Sequence, residues 1–262
     1  MDGYLKSNLD VLKTEIKKDW DFLMVVDGRE GAGKSSLAAQ IGYYLDPTLN
    51  LSRFCFNAKQ FQEAVYKAEK YQCIILDEGY GALSSRAAMS WVNRTLVKML
   101  TEIRMKNLFI LVLLPSFYDL DKYVAMFRSC ALIHVRTKEG SLERGDFNFY
   151  SYKKKMWMYS NCRKDYSYNH PDFWGSFSAF FPFNKDEYIK AKLEGTKQTE
   201  AVYERFQWVK GQRNTLILEL VNTFGMTRTD VAILLEKAGY SISREQIGEI
   251  VSGKPAEPYR HG

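Results

Sequence analysis

The sequence predicts an α/β fold in which a central parallel sheet is covered by helices on both faces. Three observations predict it. Phe22–Val26, Cys73–Leu76 and Leu108–Leu114 are strand-sized, unbroken apolar runs, the pattern of strands buried on both faces rather than one. Helix-patterned stretches separate these runs, as parallel strands require. A glycine-bearing turn, Gly28–Ser35, follows the first run and opens a helix.

Taken in order, Leu5, Leu9, Leu12 and Ile16 recur at helical spacing, so a helix over 5–18 opens the chain. Lys34–Leu45 is a helix closed by Asp46-Pro47, and Arg53–Phe56 is a short strand. Asn57 is placed to cap a helix burying Phe61, Val65 and Ala68. The strand Cys73–Leu76 delivers Asp77-Glu78 at its C-terminal end, and a loop over Gly79–Ser85 leads to a helix ending near Arg104. Pro115 stops the strand Leu108–Leu114; a short helix over Asp121–Phe127 and a strand over Ala131–Val135 follow. From Glu143 to Phe183 aromatic residues crowd together and helical periodicity vanishes, which predicts an antiparallel hairpin and then an irregular loop. Asp186–Leu193 is a short helix and Glu194–Thr199 a polar linker. The expected division is a core over 1–140, an aromatic β and loop extension with linker over 141–199, and a helical domain over 200–262.

An apolar fraction of 46% and a charged fraction of 26% are globular values. No apolar run approaches the roughly 20 residues of a membrane span, and charges at Lys13, Glu15, Lys17, Lys18 and Asp19 break any signal-peptide pattern. Cys55, Cys73, Cys130 and Cys162 lie far apart with no close pair, so neither zinc nor a disulfide framework is suggested; Cys73 and Cys130 abut apolar strands and read as buried thiols, which fits a reduced, cytoplasmic setting. A formal charge of +6 permits a polyanionic partner without demanding one.

Gly28-Arg29-Glu30-Gly31-Ala32-Gly33-Lys34-Ser35 satisfies the pattern GxxxxGK[ST] between a buried strand and a helix. Glycines let a backbone wrap an anion, and the following helix offers its positive end to phosphates. Gly28 to Ser35, with Ser36 next in the helix, are therefore the candidate nucleotide contacts. Lys34 is expected on the β- and γ-phosphates and Ser35 on Mg²⁺. Asp77 is the second candidate for the Mg²⁺ shell, and Glu78 the candidate for orienting or deprotonating an attacking water.

An acid directly after Asp77 resembles the branch of P-loop ATPases that inserts a strand between the P-loop strand and the acidic strand. That resemblance implies a central order 5-1-4-3-2, ATP as nucleotide, and hydrolysis rather than kinase chemistry. Arg104-Met105-Lys106-Asn107, the strand Leu108–Leu114, the turn Pro115-Ser116, the helix Asp119–Phe127, Arg128 and the strand Ala131–Val135 together resemble FtsK/HerA-type DNA-translocating ATPases and zonula-occludens-toxin-like phage ATPases. The likeness spans about residues 20–137. It lacks the glutamine those strands carry before Pro-Ser, where Leu113-Leu114 stands, and the membrane helix of the toxin-like group. It implies a homo-oligomeric ring, Ser116 as a γ-phosphate sensor, and an arginine finger, for which Arg128 is preferred over Arg94 and Arg104. Ser116 as a plain turn residue, and each arginine as a solvated helix charge, are the competing readings.

After Glu200 periodicity returns. Thr227 with Asp230 and Ser243 with Gln246 are cap pairs that start two short helices, with Val231, Leu234 and Leu235 inward on the first and Ile247, Ile250 and Val251 on the second. Two such helices after a longer one resemble a helix-turn-helix. DNA contact through Arg228, Arg244, Glu245 and Lys254 competes with a tri-helical packing domain. In the same way, Lys153-Lys154-Lys155 with Arg163 and Lys164 among aromatics either meets nucleic acid or is a solvated turn. The leading expectation is a Mg²⁺-dependent ATP hydrolase coupled to DNA as a translocation or packaging motor. A DNA-site-specific ATPase switch and a small-molecule kinase are the alternatives.

Overall fold

The computed structural model describes residues 2–77, 85–138 and 143–253. Of the loop expected over Gly79–Ser85, residues 79–84 lie outside the described residues, as do Glu78 and Lys254. The chain divides into two compact units, Met1–Glu200 and Ala201–Gly262.

In the first unit, α1 (Gly3–Glu15) precedes β1 (Phe22–Asp27), and α2 (Lys34–Leu45) leads through β2 (Phe54–Cys55) and α3 (Ala58–Lys67) to β3 (Cys73–Asp77). Next come α4 (Ser85–Met105), β4 (Phe109–Leu114), β5 (Ser129–Thr137), β6 (Arg144–Tyr150), α5 (Tyr152–Asn161) and β7 (Phe173–Ser176). Helix α6 (Lys185–Asn222) starts in this unit. The seven strands form one sheet ordered β2-β3-β4-β1-β5-β6-β7. β2 to β5 and β1 pair in parallel; β6 and β7 extend the sheet antiparallel. Read from the other side, the parallel strands run 5-1-4-3-2.

The unbroken apolar runs divide by parity. Leu23, Val25, Ile74, Leu76, Ile110 and Val112 face a core built with Phe61, Leu96, Ile103 and Met158 of α3, α4 and α5. Met24, Val26, Cys73, Ile75, Leu111 and Leu113 face a second core built with Leu5, Leu9, Leu37 and Ile41 of α1 and α2. Side chains alternate across a strand, so a strand between two helical layers has no polar positions to show. Among the described residues no helix is long and apolar enough to cross a membrane.

Two stretches differ from the sequence reading. The loop expected after the hairpin contains α5, and the lysine run at its start is not a solvated turn throughout. Lys155 is buried, with Nζ donating to the carbonyls of Ala125 (2.7 Å) and Met126 (3.0 Å). Those carbonyls belong to a π-helical turn over Val124–Arg128, so a cation there satisfies backbone acceptors that the chain would otherwise bury. The linker expected over Glu194–Thr199 is helical and lies within α6. Gly195 lets α6 approach Phe56, and Asn57 Nδ2 donates to the Gly195 carbonyl (3.2 Å). Such polar contacts leave no apolar stripe to read.

In the second unit, the later residues of α6 meet α7 (Arg228–Lys237) and α8 (Arg244–Ser252) around Ile217, Val231, Leu235 and Ile247. Thr227 Oγ1 accepts from the Asp230 amide (3.2 Å), and Ser243 with Gln246 forms a reciprocal capping box. Gly225 and Gly239, both at positive φ, close α6 and α7.

Candidate phosphate and cation site

The glycine-rich loop leaves the C-terminal end of β1 and enters α2. Gly28 has φ +135°, and a Cβ on it would overlap the Val135 carbonyl of β5, so backbone packing excludes any other residue. Gly31 and Gly33 also have positive φ, 77° and 107°. Gly33 caps α2, and the amides of its first turn carry the partial positive charge of a helix start.

Lys34 folds back on the loop, Nζ donating to the carbonyls of Gly28 (2.5 Å) and Arg29 (3.0 Å). Burial lowers its pKa from the usual lysine value, opposed by Asp77, Asp27 and Glu30. An ammonium held out of water on weak carbonyl partners is poised to exchange them for an anion.

Asp77, at the end of β3, is nearly buried. Its Oδ2 accepts from Ser35 Oγ (2.7 Å) and from Tyr188 Oη (2.8 Å), and Lys192 Nζ stands 3.2 Å away. Burial, then Asp77, raises the pKa of Tyr188, which keeps the phenol a donor. A hydroxyl and a carboxylate oxygen side by side are hard ligands and fit Mg²⁺. Among the described residues no group of three His, Cys, Asp or Glu side chains could hold a metal. A cation held by Ser35 and Asp77 would complete its shell with phosphate oxygens and water, as Mg²⁺ commonly does.

These groups open on a cleft of about 490 Å³ whose lining includes Gly31, Lys34, Ser35, Ser36, Asp77 and Glu30, together with Arg144, Tyr188 and Lys192. Of the other sequence candidates, Arg29 is exposed and Ala32 buried in the same loop. Ser116 caps the turn after β4, accepting from the Tyr118 amide (3.3 Å), with Tyr168 Oη at 3.4 Å. The Pro115 carbonyl before it accepts from the Gly28 amide (3.4 Å), which ties this turn to the cradle.

Arg128 is not brought to the cleft of its own chain. It pairs with Asp21 at 2.5 Å, next to the N-terminal end of β1, so the length of a six-residue strand separates it from the loop, roughly 17–20 Å. Arg104 engages the same segment through Asp19 (3.3 Å) and Asp21 (3.9 Å).

Three groups escaped the sequence reading. Tyr188 and Lys192 are four residues apart and so share a face of α6, but no motif marks them. Arg144 opens β6 beside Gly31. The third is a cluster around Asp27, wholly buried at the end of β1. His134 Nδ1 is 2.9 Å from its Oδ1, while Oδ2 accepts from the Phe117 amide (2.8 Å) and from Tyr168 Oη. The rings of His134 and Tyr168 stack 3.8 Å apart. The only sequence signal was an acid ending an apolar strand.

A scan against protein-family models and a search of curated proteins each returned no match. The chemistry of the site therefore carries the functional argument.

Proposed function

We propose that the chain is a Mg²⁺-dependent ATP hydrolase of the inserted-strand P-loop branch, coupled to DNA as a translocation or packaging motor. One observation carries the nucleotide part: Ser35 of a GxxxxGK[ST] loop sits on Asp77 across an intervening strand, so phosphate and cation ligands converge although they lie 42 residues apart. The parallel order 5-1-4-3-2 supports the branch. The choice of ATP, the ring and the packaging role rest on the resemblance of residues 20–137. In this reading Gly28–Ser36 bind the triphosphate, Ser35 and Asp77 hold Mg²⁺, Glu78 activates water and Ser116 senses the γ-phosphate. Arg128 serves a neighbouring copy, which requires it to leave Asp21. Mg²⁺, when bound, would supply charge neutralisation at the phosphates, and Ser35 and Asp77 would position it.

DNA contact is assigned to the C-terminal unit, where α8 begins with exposed Arg244 and Glu245. The same helices favour a second reading, a DNA-site-specific ATPase switch. ATP hydrolysis measured with and without long duplex DNA, for wild type and Glu78→Gln, separates the readings. A motor is stimulated by any long duplex and loses turnover in Glu78→Gln. A switch turns over slowly and binds one sequence tightly. Hydrolysis and binding both indifferent to DNA overturn the DNA-coupled reading.

A further inference from the structure

Asp77 is already serving a cation. Lys192 Nζ lies 3.2 Å from the carboxylate oxygen that also meets Ser35 Oγ, and Tyr188 Oη lies 3.5 Å from the same Nζ. An ammonium thus stands on the oxygen assigned to the divalent cation. The two cannot share it, because a dication next to an ammonium in a partly dehydrated cleft is strongly repelled. Lys192 has somewhere to go. Its side chain is 36% exposed and lines the same cleft as Lys34 and Gly31, where the phosphate chain of a nucleotide would lie.

We infer that Lys192 is an intrachain counter-ion that holds Asp77 before nucleotide binds and transfers to the terminal phosphate when a Mg²⁺-triphosphate arrives. It thereby discriminates a triphosphate from a diphosphate. The exchange is balanced in charge: Asp77 trades an ammonium for a dication, and the ammonium trades a carboxylate for a phosphate oxygen. A diphosphate offers the displaced ammonium no terminal oxygen at that place, so Lys192 stays near Asp77 and opposes the cation. Tyr188, which also bonds Asp77, is a positioning residue that remains with the carboxylate. This inference rests on the nucleotide-binding reading above.

The experiment is calorimetric titration of wild type, Lys192→Met and Lys192→Gln with the imido analogue of ATP and with ADP, each with Mg²⁺, alongside Lys34→Ala. Wild type binds both nucleotides, and Lys34→Ala loses both. Both Lys192 variants lose at least tenfold in affinity for the triphosphate analogue and less than threefold for ADP. They also bind Mg·ADP at a lower Mg²⁺ concentration than wild type does. Equal losses for the two nucleotides, or no loss, overturn the role of Lys192 while leaving the cradle intact. Failure of wild type to bind either nucleotide overturns the nucleotide-binding reading and this inference together. The two variants differ in polarity, and circular dichroism of each establishes that the fold is retained.

Discussion

Asp27 ends β1 and Asp77 ends β3, strands of the same parallel sheet with β4 between them, and both acids are buried, yet their partners differ in kind. Asp27 is enclosed by a backbone amide, an imidazole and a phenol, all fixed by the fold. Asp77 is met by a serine of the loop, a phenol and a flexible ammonium on the wall of a cleft. A carboxylate tied to backbone and stacked rings is held by partners that the fold fixes, and it serves the frame. A carboxylate held by exchangeable partners can change them, and that difference separates a scaffold acid from a ligand-binding one.

The comparison can be broken by substitution. Asp27→Ala removes the shared acceptor of the buried Phe117 amide and of the half-buried His134 and Tyr168, and we expect a loss of about 3 kcal/mol in chemical denaturation. A loss under about 1 kcal/mol would remove Asp27 from the frame. Asp77→Ala should behave oppositely, with Mg²⁺-dependent triphosphate affinity falling about hundredfold, equivalent to about 2.7 kcal/mol, and denaturation nearly unchanged. If titration shows the affinity intact, Asp77 is not the cation ligand. Tyr168→Phe removes one donor from Asp27 and should cost about 1–1.5 kcal/mol in the same denaturation assay, leaving nucleotide affinity within threefold.

A pH-dependent effect concerns a buried cation outside both sites. Burial lowers the Lys155 ammonium from 10.5 to about 8. Below that pH both folded and unfolded chains carry the proton, and the folded state bears the full penalty of the buried charge. Between about 8 and 10.5 the unfolded chain binds more protons, so stability rises with pH through this window. Measured against Lys155→Met by denaturant midpoint, wild type should gain stability between about pH 8 and 10.5. A gap that stays constant would show that Lys155 titrates as in water.

What was legible in the sequence follows from the range of each interaction. Strands buried on both faces announce themselves as unbroken apolar runs, and the loop Gly28–Ser35 is a local pattern whose glycines take positive φ, Gly28 also making room for the Val135 carbonyl. Helix caps at Asn57, Thr227 and Ser243 were equally local. Helix α5 was hidden because its buried face includes a lysine, which reads as solvent-facing until the π-helical carbonyls it serves are seen. Tyr188 and Lys192 meet Asp77 across 111 and 115 residues of chain, and nothing in their own neighbourhood signals that contact. The Asp27 cluster joins four segments, so its members were visible singly and its meaning only together.

The sheet's margins have a consequence for assembly. Among the described residues one border is β2, two residues long, and the other is β7, four residues long with a glycine inside it. Neither offers a run of open amides and carbonyls long enough to template another chain's strand. Copies of this protein that associate should therefore meet through side chains on helices and loops, and their contacts should be tunable residue by residue rather than locked by a shared backbone ladder.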